Sequence, residues 1–367
     1  MKTLFVIDSM ASGGAQRILI NVVEAFRQKN IGVTVFLYQP KEDFFLDRLQ
    51  AMGAEVIKLR RKRDGFSLLV VMELIRLYWR KFDCVFSFQP TANIYCILAR
   101  FFSPASRVIC CEFSIVNSWT SQKKRLMANV ANFLSSMIIC NSFTQKKYLS
   151  SFLGLNDKTL VAWNGYDLAT FDYRDYRSTE FTHLSVIGRI AYPKNGLNLL
   201  KGIQIFYDKM GFVPHVEWVG RRDFDPESVK MYDSMVDFLD HHPEIKQRWT
   251  WRGEVEDIDQ IYLNTDCVIL PSAFEGLPNV ICEAMIAGCP VLASNVSDIP
   301  ILLGNSERGL LFEPLQPSDI CRALIEFQRM PLGQRRAMVD SARNYAEEHL
   351  DLRKMTNIYH DVISNKN

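Results

Sequence analysis

Short runs of β-branched and aromatic residues alternate along this chain with longer amphipathic stretches. In the first half the runs fall at residues 4–7, 33–37, 56–59, 85–88, 108–111, 138–140 and 160–163, separated by segments with helical spacing of apolar positions. Several runs are apolar on successive residues, as in strands buried on both faces, so the pattern predicts a parallel sheet with helices on either side. After Asn164-Gly165 and a polar, aromatic stretch at 167–182, the alternation restarts at 184–188. It continues through 216–219, 249–252, 267–270, 290–293 and 309–312, and the chain ends in helices. The expected architecture is α/β with two doubly wound domains, at 1–165 and 166–345, and a terminal helix at 346–367 that packs back toward the first.

Length agrees with two cores, because 367 residues exceed what one hydrophobic core usually organises. With 48% apolar and 23% charged residues the composition is that of a compact protein, not a disordered one. Nine cysteines include no Cys-x-x-Cys pair, and Cys84, Cys140 and Cys267 lie inside strand-like runs where thiols act as small hydrophobes, which suits a reducing cytoplasm. The apolar run at the N-terminus stops at Asp8 and reads as a strand, not a signal peptide; the longest apolar stretch, 66–79, is broken by Glu73 and Arg76. Net charge is only +2, yet residues 1–165 hold 22 Lys/Arg against 11 Asp/Glu and the remainder 21 against 30. That asymmetry draws anionic partners to the first half: a phosphorylated acceptor, an acidic membrane surface or nucleic acid. The plainer reading is solubilising surface charge.

The most informative segment is 266–285, which reads as strand, loop and helix. Pro278 suits a first helical turn, so the free N–H groups of Gly276, Leu277, Asn279 and Val280 can face an anion beyond the strand's carboxyl end. Asn279 and Glu283 are one i, i+4 step apart and share a helix face, with Glu275 in the loop ahead of them. Two carboxylates can then bracket a polyhydroxylated ligand. The plainer alternative makes Glu275 an ordinary loop carboxylate and Glu283 a solvated helix residue.

Glu275-Gly276-Leu277-Pro278-Asn279-Val280 with Glu283 resembles the Glu, seven residues, Glu signature of glycosyltransferase family 4. Gly188-Arg189 with Lys194 resembles that family's strand-end Gly-Arg and downstream Lys. Asn164-Gly165-Tyr166-Asp167 with Phe171 resembles its interdomain turn, and Gly13-Gly14-Ala15-Gln16-Arg17 its first glycine loop. Gly288-Cys289-Pro290-Val291 and Gly309-Leu310-Leu311-Phe312 follow in the family's order. The resemblance implies the GT-B fold, two facing Rossmann-like domains with the active site in the interdomain cleft. It also implies retaining, nucleotide-sugar-dependent transfer.

A departing diphosphate must have its charge neutralised, and Arg189 and Lys194 can supply that charge, the guanidinium gripping two oxygens and the ammonium adding a point charge. No essential metal and no cofactor beyond the donor are therefore expected; the one Asp-x-Asp, Asp223-Phe224-Asp225, lies in a polar loop-like stretch. The resemblance further implies that Glu283 holds ribose hydroxyls and that Glu275 contacts the transferred sugar. It puts Gly253 beside the nucleobase, where Arg252 either stacks or is simply exposed, and lets the backbone at Gly13 and Gly14 approach the diphosphate. Many relatives have a His at a strand end of the first domain, and residues 1–165 contain none. Glu112 stands at the comparable strand end, either to orient the acceptor or sugar, as a base, or only to cap the next element.

The first domain carries the clues to the acceptor. Arg60-Arg61-Lys62-Arg63 precedes an apolar helix, and Lys123-Lys124-Arg125, just after Trp119, and Lys146-Lys147 lie beyond it. Basic clusters with apolar neighbours suit docking on an anionic membrane surface, and so a lipid-linked acceptor and a peripheral place at the inner face of the membrane; the alternative is a buried helix with one solvated stripe. No nucleic-acid-binding module is recognisable. The expected activity is transfer of a hexose or N-acetylhexosamine from a UDP-linked donor to a lipid-linked or glycan acceptor, in surface polysaccharide or glycolipid biosynthesis. The competing readings are an inactive nucleotide-sugar-binding partner subunit and a same-fold nucleotide-sugar epimerase.

Overall fold

A computed structural model describes residues 1–11, 13–40, 43–59, 65–102, 107–113 and 122–364, without the side chains of Lys124 and Phe152. The chain divides into two compact units, one formed by 1–165 together with 352–367 and the other by 166–351.

The first unit holds strands β1 (Lys2–Ile7), β2 (Gly32–Leu37), β3 (Glu55–Lys58), β4 (Cys84–Phe88), β5 (Arg107–Glu112), β6 (Met137–Cys140) and β7 (Thr159–Val161). All pair in parallel, in the order β3-β2-β1-β4-β5-β6-β7. The successive apolar residues of β1 explain themselves here. Phe5 and Ile7 enter one apolar cluster with Val35, Phe86 and residues of the helix Gly14–Gln28, while Leu4 and Val6 enter another with Phe36, Val85 and the helix Leu68–Tyr78. Cys84 and Cys140 are buried within these strands.

The second unit repeats the plan with β8 (His183–Ile187), β9 (His215–Val219), β10 (Trp249–Gly253), β11 (Cys267–Leu270), β12 (Val291–Ser294) and β13 (Leu310–Phe312). Their order is β10-β9-β8-β11-β12-β13, again parallel throughout. In each sheet the winding reverses once, between β1 and β4 and between β8 and β11. Ligands of open α/β sheets bind beyond the carboxyl ends of the strands at such a reversal.

The second unit runs to Asp351, six residues past the 345 expected from the sequence, because the helix Leu332–His349 stays with it. The terminal helix Leu352–Ser364 returns to the first unit, where Tyr359, Val362 and Ile363 are buried in the cluster that holds Phe5, with the Tyr359 ring 5.8 Å from that of Phe86. Gly165 is required at this return: a Cβ there would lie 2.7 Å from Leu352 Cα, and its N–H donates to Met355 Sδ at 3.2 Å.

Candidate active site

In the second unit the exits of β8 and β11 are laced together by backbone and amide groups. Asn195, in the left-handed region at φ +54°, starts the helix Gly196–Met210 and donates from Nδ2 to the carbonyls of Pro271 (3.0 Å) and Pro314 (2.6 Å). The Ala273 N–H donates to the Pro193 carbonyl at 2.8 Å. This lacing brings Lys194 Nζ within 2.5 Å of Glu275 Oε1, and the same oxygen accepts from Ser272 Oγ at 2.6 Å. Both side chains of the pair are mostly covered, 20% exposed for Lys194 and 16% for Glu275. Glu275 is fixed through its backbone as well, since Ser297 Oγ–H donates to its carbonyl.

Gly188 makes room for this arrangement. Its φ of +141° is one that side-chain-bearing residues rarely adopt, and a Cβ would sit 3.2 Å from Lys194 Cε. Its N–H donates to the Val219 carbonyl (2.8 Å) and its own carbonyl accepts from the Trp218 indole (2.9 Å), so the strand end is pinned while the lysine lies across it. Arg189, next in the chain, extends further out, with 60% of its side chain exposed and its guanidinium paired with Asp223. The other carboxylate of the Asp-x-Asp, Asp225, caps the helix Pro226–His241 by accepting from the Ser228 N–H at 3.1 Å.

The helix Asn279–Ala287 begins one residue later than expected, with Pro278 at the N-cap position in extended conformation and no side-chain cap. Its N-terminus follows β11, so partial positive charge stands at the carboxyl end of that strand. Asn279 Oδ1 accepts from the Tyr166 hydroxyl at 2.7 Å, and Leu277 is buried. Glu283 is no solvated helix residue: it is 6% exposed, and its Oε2 accepts from the Tyr262 hydroxyl at 2.8 Å. Burial, reinforced by the adjacent Glu283 charge, pushes the Tyr262 phenol well above its ordinary range, which keeps it a donor.

Arg252 does not extend freely either. Its Nη1 donates to Glu217 Oε2 at 2.9 Å, and Glu217 also accepts from Ser185 Oγ at 2.9 Å and pairs with His183. Burial pushes the Glu217 carboxyl up, but the bonds from His183, Ser185 and Arg252 outweigh it and hold the group down at about 2. Gly253 closes β10, its carbonyl accepting from the Gly220 N–H at 2.8 Å. The structure therefore brings Gly188, Lys194 and Glu275 together, with Gly276, Pro278 and Val280 following in the same loop and helix start, whereas Arg252 and Glu283 are engaged inside their own unit. The sequence reading missed Ser272, Glu217 and Tyr262. Glu217 had a signal, a lone carboxylate in the strand His215–Val219; Ser272 and Tyr262 had none.

In the first unit, Gly13 is the N-cap of the helix Gly14–Gln28 that follows β1, and a Cβ on it would meet Gln16 Oε1 at 2.5 Å. Glu112 departs from expectation. It ends β5 with no exposed surface, Oε1 accepting from Asn93 Nδ2 (2.8 Å) and Asn132 Nδ2 (3.1 Å), and Asn93 in turn accepting from Ser87 Oγ (2.6 Å). Burial pushes its carboxyl up to about 7 against those two amide bonds. A group so enclosed touches no acceptor, so the reading of Glu112 as a base in contact with substrate is corrected to an interior role. Arg60 to Arg63 and Trp119, named above as a basic cluster and its aromatic partner, lie outside the described residues.

Comparison with solved structures places this architecture. HepE from Anabaena, in complex with UDP and glucose, superposes with a TM-score of 0.83 at 20% identity, covering 100% of both chains. The two parallel-sheet units are thus those of the GT-B glycosyltransferase fold. The profile described as Glycosyltransferase Family 4 matches residues 12–170, and that described as Glycosyl transferases group 1 matches residues 182–329. The chain belongs to glycosyltransferase family 4 and is a glycosyltransferase. Among named relatives, the Campylobacter jejuni GalNAc-alpha-(1->4)-GalNAc-alpha-(1->3)-diNAcBac-PP-undecaprenol alpha-1,4-N-acetyl-D-galactosaminyltransferase is 24% identical over 85% of this chain and 84% of its own. The Escherichia coli UDP-Gal:alpha-D-GlcNAc-diphosphoundecaprenol alpha-1,3-galactosyltransferase is 22% identical, with the same two coverages of 85% and 84%.

Proposed function

We propose that this cytoplasmic glycosyltransferase moves a hexose or N-acetylhexosamine from a UDP-linked donor to a lipid-linked acceptor in surface polysaccharide or glycolipid assembly, with retention of configuration and without an essential metal. The observation that carries this reading is the Lys194–Glu275 pair at the reversal between β8 and β11, beside the uncapped start of the helix Asn279–Ala287. A cation and a carboxylate that neutralise each other in the free protein can separate onto a donor. Lys194 then exchanges Glu275 for diphosphate oxygens, Glu275 turns to the sugar hydroxyls, and Arg189 adds a second cation from the same loop. Glu283, its carboxylate oriented by Tyr262, is assigned the ribose hydroxyls. Two cations on the leaving diphosphate supply charge stabilisation that could otherwise come from a metal. The departing phosphate oxygen takes the acceptor's proton on the same face of the sugar, so no side-chain nucleophile is assigned.

The uridine assignment is supported by the UDP bound to HepE, and the lipid-linked acceptor by the undecaprenol-linked substrates named for the two bacterial relatives. The test is UDP release from a panel of UDP-sugars, with and without a polyprenyl-diphosphate-sugar acceptor and with and without EDTA, followed by NMR of the product's anomeric proton. Acceptor-dependent release, unaffected by EDTA, with an α-linked product from an α-linked donor is expected. Tight donor binding without turnover would remove the catalytic reading, and a β-linked product the retaining one.

A further inference from the structure

Where β1, β2 and β3 begin, the first unit holds a cavity of about 210 Å³. Substrates of open α/β sheets bind at the opposite, carboxyl ends of the strands. The helix Gly14–Gln28 spans the distance between the two ends. Gly13 stands at its start, and Arg27, in its last turn, lines the cavity about 20 Å away at 1.5 Å per residue. Arg27 is fixed there by main-chain groups alone. Its Nε donates to the Met52 carbonyl at 3.1 Å and its Nη1 to the Ile31 carbonyl at 3.4 Å, and no carboxylate pairs with it among the described residues. Those bonds leave Nη2, and a Cβ on Gly53 would lie 3.2 Å from it, so the lack of a side chain there keeps this nitrogen open to the cavity. Lys2 is placed in the same way. Its Cγ passes 3.6 Å from where a Cβ on Gly32 would stand, and its ammonium has no hydrogen bond or ion pair among the described residues.

The other charges of the cavity cancel. Arg80 Nη1 and Nη2 grip Glu55 Oε1 and Oε2 at 2.9 and 2.7 Å, and Thr34 Oγ1 donates to the same carboxylate at 3.0 Å. The bond from Arg80 holds the Glu55 carboxyl below its ordinary range, so it stays ionised and committed to its own cation. What remains is two uncompensated positive charges, Arg27 and Lys2, which draw in an anion. A phosphate group near neutral pH carries close to two negative charges and three acceptor oxygens, enough for a guanidinium nitrogen and an ammonium together, whereas a simple carboxylate carries one charge. The volume sets the size, since it falls short of the ~300 Å³ at which pockets for drug-sized ligands begin.

We infer that this cavity is an accessory site for a small phosphate-bearing anion, held by the Arg27 guanidinium and the Lys2 ammonium. It stands on geometry within the first unit and does not depend on the roles assigned to Lys194 and Glu275. The test is isothermal titration of the full chain with inorganic phosphate and with glucose 6-phosphate, at fixed ionic strength and with saturating UDP present to fill the donor site. Saturable binding is expected. Tighter binding of glucose 6-phosphate would assign the site to a phosphate ester, and equal binding to the free anion; either supports the inference. Lys2→Gln should weaken binding by about tenfold or more, the size of one charge-assisted contact. Because the Lys2 ammonium makes no bond in the structure, the unfolding midpoint of that variant without ligand should stay unchanged. Arg27→Gln should weaken binding at least as much. No saturation by either anion, undiminished binding by Lys2→Gln, or binding that Lys194→Ala removes would each overturn the inference, the last because it would place the anion in the donor site.

Discussion

Replacing Glu112 by Gln tests the interior role assigned to it. In the structure its carboxylate has two amide donors on Oε1, while Oε2 and the neighbouring Asn132 Oδ1 are buried without a hydrogen-bond partner among the described residues. The network has more acceptors than donors, and a proton on Glu112 relieves it. A carboxyl at about 7 in the folded chain, against an ordinary 4.5, is protonated when folded and ionised when unfolded across that interval. Its contribution is most favourable below pH 4.5 and is lost as pH rises through 7, a span of about 3 kcal/mol. Gln keeps the shape and the accepting oxygen and cannot ionise. Glu112→Gln is therefore expected to be more stable than the parent by up to about 3 kcal/mol at pH 8, with the difference shrinking toward zero near pH 4.5. Urea unfolding of both proteins at a series of pH values gives this difference directly. A difference that stays constant from pH 5 to 8 would refute the assignment, because it would mean that Glu112 titrates alike in the folded and unfolded chain.

Two further outcomes follow from the geometry. Lys194→Ala should lower turnover by about two to three orders of magnitude, since a preorganised charge on the leaving group is worth that much, and Glu275→Gln should lower it as well; each should also lower the unfolding midpoint, because it leaves its mostly covered partner unpaired; the double variant should lose far less than the product of the single losses, and full additivity in steady-state kinetics would argue that the two do not act as a unit. Gly165→Ala, which would place a methyl 2.7 Å from Leu352 Cα, should destabilise the chain by about 1–3 kcal/mol, and an unshifted urea midpoint would show that the return of the terminal helix tolerates a side chain.

The fold was legible because most of the short apolar runs are strands buried on two faces, and periodicity reports that directly; every run named from the sequence carries a strand, the edge strands Glu55–Lys58, Thr159–Val161 and Trp249–Gly253 being less covered. The boundary at 345 was less legible, since nothing in the polar repeat of 332–349 marks which unit a helix accompanies. At the site, Gly188, Lys194 and Glu275 were found by spacing and resemblance, but what holds them together was not. The bonds from Asn195 to Pro271 and Pro314 join loops 76 and 119 residues apart in sequence. The solvated alternative for Glu283 could not be set aside from sequence, because its partner, Tyr262, lies on another helix, 21 residues away. The outer face of the helix Leu68–Tyr78 was hidden for a different reason: a helix apolar around most of its circumference does not disclose which part is covered.

The route of the chain also orders its own synthesis. The first unit takes its first 165 residues early, but its core lacks Tyr359, Val362 and Ile363 until the chain has grown past the whole of the second unit. The second unit is whole by Asp351. The usual succession of domains on the ribosome, N-terminal first, is thereby inverted. The half that begins the polypeptide must wait with an apolar side uncovered while the later half closes, and a chain interrupted between Asp351 and Tyr359 would have its second domain finished and its first one open.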